Sequence, residues 1–335
     1  MPACATPAAP LEELASGISV LQPVARQKRR RFMYGSASMV CRFVMIGLKG
    51  LVLAGILCAQ PCAAHAQAAP AAPPPRSASL WKDTWPQFST SEAVLTLSAG
   101  LGTIALAFAP AASEPRWEGP VLFDSALRNA LRADSAETRT EVRAIGDKSY
   151  YAAPVLPLLV DSFVVSLLVR GDKRAAANLA LLSAEAFSYT GLITFAALRG
   201  AARQRPDASE CQRTSSDPSS CGNDTESFLS GHTSVAATSA GLVCASHLRM
   251  PLWGHPVADA SACGLALSMA LFTGTSRLIA DRHYATDVLT GLTLGLGVGY
   301  AVPVLLHYSR TTGQELALAA DPSCAGACLA LRGSF

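Results

Sequence analysis

Three short stretches of the chain concentrate the residues able to do chemistry. In residues 276–287 the order is Ser-Arg-Leu-Ile-Ala-Asp-Arg-His-Tyr-Ala-Thr-Asp, which puts His283 and Asp287 four positions apart. On a helix that spacing stacks the two on one face, so the carboxylate can accept one imidazole N–H, fix the tautomer and leave the other nitrogen free to attack. Taken alone, the pair also fits an ordinary His–Asp helix cap. In residues 227–234, Ser-Phe-Leu-Ser-Gly-His-Thr-Ser has the form of a phosphate cradle leading into a helix. Ser230 offers a hydroxyl, Gly231 lets the backbone approach a ligand, and the free N–H groups of a helix start attract an anion, with His232 beside them. Helix capping by Ser and Thr is the plainer reading of that stretch. The third stretch, 198–206, carries Arg199, Arg203 and Arg205 before Pro206. Guanidinium forks hold phosphate oxygens through paired hydrogen bonds, although a basic helix end is the simpler alternative.

These stretches need a scaffold, and the chain supplies apolar segments at 93–109, 151–169, 175–198, 233–248, 261–280 and 286–306. Each is close to the length of a helix that crosses a bilayer. The expected fold class is therefore all-α: a six-helix bundle, transmembrane, with the active site at the ends of helices 3 to 6. Asp161 and Glu185 interrupt two of the segments, and Ala, Ser, Thr and Gly are abundant, which suits close helix packing in a membrane and also in a soluble bundle. Alternation at 315–320 and 327–331 adds at most a small C-terminal hairpin.

Of 335 residues, half are hydrophobic and 15% are charged, and a scattered net charge of +3 gives no basic stripe for nucleic acid. Arg26 and the basic run 28–31 precede an apolar stretch at 43–59 and then Ala64-His65-Ala66, so residues 1–66 read as an N-terminal extension and export signal. An uncleaved anchor and a start at Met39 are alternatives. An Ala/Pro linker at 67–79 follows, then the helical domain at 80–310 and a tail at 311–335. Export favours cysteine pairing, and Cys211 and Cys221, flanking a polar loop, are the disulfide candidates. Zinc is not expected, because no second Cys or His pair stands at ligand spacing.

Together the three stretches resemble the superfamily of type 2 phosphatidic acid phosphatases and vanadium-dependent haloperoxidases. That family's signature is a Lys, six residues, then Arg-Pro; next Pro-Ser-Gly-His; then Ser-Arg, five residues, His, three residues, Asp. Ser276, Arg277, His283 and Asp287 match the third part in full, and Ser230, Gly231 and His232 match the second, with Leu229 in place of Pro. Arg205-Pro206 closes the first part, but Leu198 stands where the family has Lys. The resemblance spans 175–306.

What the resemblance implies is hydrolysis of a phosphate monoester or pyrophosphate, on a lipid, without metal or other cofactor. His283 is the nucleophile that forms a phosphohistidine, Asp287 orients it, and His232 protonates the leaving oxygen and then activates water. Arg199, Arg205, Ser230, Gly231 and Arg277 hold the phosphoryl oxygens, Arg199 replacing the family's Lys and mattering more than Arg203. His247, His255 and His307 fit no part of the pattern and read as structural. The partners implied are a lipid phosphate and membrane lipids; no nucleic acid or protein partner is inferred. The alternatives are a vanadium haloperoxidase-like enzyme, a soluble periplasmic acid phosphatase, and a degenerate lipid-binding membrane protein. The expected location is the inner membrane with the site facing the periplasm. The basic turn 170–174 would then be cytoplasmic, and 93–109 would pack along the bundle or lie in the interface without crossing.

Overall fold

The computed structural model describes residues 79–308, apart from 223, and two short strands at Ala317–Ala320 and Leu329–Arg332. The expected signal at 1–66, the linker up to 78, and Cys324 and Cys328 lie outside the described residues. Eight α-helices are present among them: α1 (Thr90–Phe108), α2 (Asp124–Leu131), α3 (Ala136–Ala152), α4 (Lys173–Ala201), α5 (Pro206–Thr214), α6 (Gly231–His247), α7 (Pro256–Ile279) and α8 (Ala285–Leu296). The helical class expected from sequence is observed, but the count of six is corrected. Three shorter or more polar helices, α2, α3 and α5, lack a long apolar run and so escape a search for one. The two strands pair antiparallel, Ala317 opposite Arg332, as a small hairpin.

Local signals explain where the helices start. Ser89 and Glu92 form a reciprocal capping box at α1. The Asp172 carboxylate accepts from Ala175 N at the start of α4, and also from the Ser79 hydroxyl and Leu80 N. Between α3 and α4 the chain follows a π-helix, Leu156–Val169. Ser162 Oγ donates to Pro157 O and Ser166 Oγ to Asp161 O, so hydroxyls also serve the carbonyls of this wider turn.

Helix α6 is the axis of the molecule. It packs against α3, the π-helix, α4, α7 and α8, and nearly every residue from Thr233 to His247 is buried. Its Ala, Ser, Thr and Gly side chains are short, which lets neighbouring backbones come close. The tightest approach is to α8 and its extension, where a Cβ on Gly295 would stand 2.3 Å from Ser234 O and one on Gly299 2.2 Å from Thr238 O. Only glycine fits at those two positions. At 17 residues and this buried, α6 is an interior helix, not one of the five helices among the described residues with length and composition to cross a membrane: Thr90–Phe108, Ala136–Val169, Lys173–Ala201, Pro256–Ile279 and Ala285–His307.

Helix α1 lies along α4 and parallel to it, with Gly100 and Gly102 beside Ser188 and Leu192, and Leu106 beside Arg199. It packs along the bundle, and it is long and apolar enough to cross a membrane. The ends of the bundle differ. The three motifs gather at one, while Trp81, Trp85, Met250, Leu252 and Tyr308 form the core of the other, beside the turn at 170–174.

Candidate active site

His283 sits in the tight turn between α7 and α8, and its side chain is almost wholly buried. Its Nδ1 lies 2.7 Å from Ser227 O. A carbonyl oxygen only accepts, so Nδ1 must carry the proton, and the lone pair of the neutral ring is left on Nε2. Burial, then the nearby Arg205 charge, hold the imidazole well below the ordinary histidine pKa. The ring is therefore neutral near pH 7 with a fixed tautomer, which is the state a nitrogen nucleophile needs.

Asp287 was expected to accept that N–H directly. Its Oδ2 is instead 3.9 Å from Nδ1, and it accepts from Ser227 Oγ at 2.6 Å and Tyr284 N at 2.9 Å. The i, i+4 geometry fails because α8 begins only at Ala285, so His283 precedes the helix that carries Asp287. The carboxylate holds Ser227, whose carbonyl holds the imidazole: orientation at one remove.

Its other oxygen is held by Arg203, which is fully buried. That guanidinium bonds Asp287 Oδ1 at 2.5 Å, Asp124 Oδ2 at 2.7 Å, Thr286 Oγ1 and Gly119 O, and lies between the Trp117 and Tyr284 rings at 4.1 Å from each. It joins the segment before α2 to the third motif. Arg199 goes elsewhere: Nη1 pairs with Glu226 Oε1 at 2.5 Å, and Nε donates to Leu106 O at the end of α1. One residue along a helix turns the side chain by roughly 100°, and that rotation directs Arg199 to α1 where the family's Lys position, Leu198, is buried. Arg199, expected to take the place of that Lys, thus points to Glu226 and α1, whereas Arg203 reaches the third motif.

The remaining expected residues converge. Ser230 is buried at the start of α6, its hydroxyl 2.8 Å from Thr233 Oγ1 and its N–H donating to Asp287 O, and Gly231 and His232 open the helix. A Cβ on Gly231 would make only ordinary contact with Thr194 at 3.5 Å. His232 packs on the Tyr150 ring at 4.6 Å. Burial and the Arg277 charge, opposed by Asp147, push its pKa down to about 4. Arg205 Nε is 2.8 Å from Asp224 Oδ1, and its charge bears on both histidines. Arg277 Nη1 bonds Asp147 Oδ1 at 2.7 Å and Nη2 bonds Arg143 O at 2.8 Å.

Helix α3, with Asp147, is the element that sequence reasoning missed. The available signal was Gly146-Asp147 inside a helix: a Cβ on Gly146 would meet Arg277 Nη2 at 1.9 Å, so the glycine admits the arginine. The expected Cys211–Cys221 bridge is present beside α5, and a second, Cys244–Cys263, links α6 to α7. Cys244 and Cys263 lie within apolar helices, so the polar-loop signal that marks Cys211 and Cys221 is missing from that pair. Among the described residues, no cluster of His, Cys, Asp or Glu is arranged to hold a metal ion.

No curated protein and no solved structure matches the chain. Residues 177–311 match the model described as PAP2 superfamily, a span from the second turn of α4 to just past the π-helical extension of α8 that contains all three motifs. Over those residues the chain is similar to the PAP2 superfamily.

Proposed function

We propose that the protein is a metal-independent phosphatase that hydrolyses a phosphate monoester or pyrophosphate carried on a lipid, through a phosphohistidine on His283. The observation that carries this reading is the Nδ1–H bond to Ser227 O, which leaves Nε2 of a neutral imidazole as the attacking atom. Nε2 forms the bond to phosphorus as the bond to the leaving oxygen breaks, and His232, which takes up a proton when the phosphate dianion binds beside it, gives that oxygen the proton. Water then attacks the phosphohistidine, His232 takes the water's proton, and inorganic phosphate leaves. Arg205, Arg277, Ser230 and the amides of Gly231 and His232 are placed to hold the phosphoryl oxygens as charge grows on them. Arg199 has no part in this scheme.

Two features favour a lipid. An apolar groove of about 260 Å³, lined by Ala153, Leu156, Val160, Ala236 and Met269, begins one turn below His232 and Tyr150. The outer face of the bundle is also apolar, with Leu97, Leu168 and Leu305 each more than 60% exposed. Five helices suited to crossing a bilayer fit an inner-membrane protein, and the basic turn at the end away from the motifs would then be cytoplasmic and the site periplasmic.

The test is phosphate release from purified lipid phosphates and lipid pyrophosphates against soluble phosphate esters, with and without EDTA and vanadate. Lipid-selective release that survives EDTA, is blocked by vanadate, and leaves an acid-labile phosphoenzyme absent from His283→Ala supports the reading. Release dependent on added Mg²⁺, or unchanged in His283→Ala, would refute it.

A further inference from the structure

One atom holds together the acid and the arginine that the reaction needs. Asp147 Oδ1 is 3.0 Å from His232 Nε2 and 2.7 Å from Arg277 Nη1. Under the phosphatase reading, on which this inference rests, those two donors would grip an oxygen of the bound phosphate ester. The carboxylate satisfies both at a single point, as a phosphate oxygen would, and carries the same sign of charge.

We infer that Asp147 is a stand-in for the phosphoryl group: its carboxylate occupies an oxyanion position between His232 and Arg277, and substrate must displace it. Three observations make displacement feasible. The Asp147 side chain is 39% exposed, so it can turn out into water and keep its charge solvated. Arg277 does not depend on it for position, because Nη2 remains bonded to Arg143 O and its guanidinium lies against Gly146, where a Cβ would leave no room. His232 is held separately by its place in the first turn of α6 and by the Tyr150 ring. The donors thus stay where they are while the acceptor changes.

Two anions cannot share these donors without strong repulsion, since unit charges about 4 Å apart interact appreciably even at a protein surface. Asp147 therefore weakens the hold on any oxyanion, including the product, inorganic phosphate. It acts as a specificity-determining residue that favours release and disfavours stray oxyanions lacking a lipid anchor.

The experiment measures binding of inorganic phosphate and of vanadate to the full-length protein, by calorimetry and by inhibition, in wild type, Asp147→Asn, Asp147→Ala and Asp147→Glu. The Asn and Ala variants should bind both anions on the order of 10-fold more tightly and show a lower KM without a matching rise in kcat. Asp147→Glu, which keeps the competing charge, should stay near wild type. If Asp147 served only to dock α3, its loss would loosen Arg277, so weaker or unchanged anion binding in the Asn variant would overturn the inference. Wild-type protein that binds neither anion would instead count against the phosphatase reading itself. Should Asp147→Ala fail to fold, the nearly isosteric Asn variant decides.

Discussion

Both ends of the bundle bury histidines near carboxylates, but the partners of the two ring nitrogens differ. At the far end the His247 ring lies between two acids, with Nδ1 2.7 Å from Asp259 and Nε2 3.3 Å from Asp161, and His307 Nε2 meets Glu185 at 2.9 Å while its ring stacks on Phe88. There the imidazoles bind negative charge, His247 tying α6 to α7 and the π-helix, and His307 tying the segment after α8 to α4. At the motif end His283 gives one nitrogen to an uncharged carbonyl and is surrounded by arginines. Under the proposed mechanism, reactivity comes from what the second nitrogen lacks and from the sign of the charges nearby, not from burial, which the two ends share.

The largest effect should separate the ends outright. His283→Ala should lower kcat by at least about 10³-fold with an unchanged unfolding transition, and His232→Ala should cost roughly 10²–10⁴-fold. His307→Ala should leave kcat within a few-fold but destabilise the fold by about 3 kcal/mol, because Glu185 is left buried without its partner. Turnover and thermal unfolding of the three proteins test this; activity lost equally in His307→Ala would erase the contrast.

Arg203→Ala should lose on both counts. It strands the buried Asp124 and Asp287 carboxylates, which is expected to cost about 3–5 kcal/mol, and it frees the Asp287–Ser227 pair that orients His283. Denaturant unfolding alongside kinetics would show it, and a variant as stable as wild type would disprove the role.

A smaller effect concerns pH. Because the folded-state pKa of His232 is depressed, its contribution to stability is fully present above the unfolded value of 6.5 and is lost as pH falls towards about 4. His232→Gln should flatten the stability curve between those limits, and an identical curve would remove His232 from the account. The smallest change is expected of Arg199→Ala, about 0–1 kcal/mol with turnover near wild type, since its ion pair with Glu226 is partly exposed. A turnover loss greater than that of Arg203→Ala would restore Arg199 to the phosphate site.

Much of this site was legible because its residues are close in sequence to the elements that hold them. Ser276, Arg277 and His283 span one helix end and the turn after it, and Ser230 to His232 open another helix; that the two stretches meet was implied by their joint resemblance to the family signature. What spacing could not give was the identity of the acceptor on His283. A backbone carbonyl leaves no trace in side-chain types, and Ser227 is 56 residues away. Arg203 and Asp147 were obscured for a related reason: their partners Asp124 and Arg277 come from elements 79 and 130 residues distant. The long apolar helices were readable from composition, whereas α2 and α3 declare themselves only through what they touch.

The glycines of α8 carry a consequence for how such a protein can diversify. The second motif opens α6 and the third runs through the turn that leads into α8, and α6 meets α8 and its extension through main chain, at Gly295 against Ser234 and at Gly299 against Thr238. A gap set by peptide groups cannot be widened or narrowed by exchanging one side chain for another; any substitution there adds atoms and can only push. The relation between His232 and His283 is therefore a fixed gauge. The groove below His232 and the segments carrying Trp117 and Asp124 are anchored by side chains, which exchange can alter. Over many generations, the choice of what is bound can drift while the working distance between the two histidines stays still.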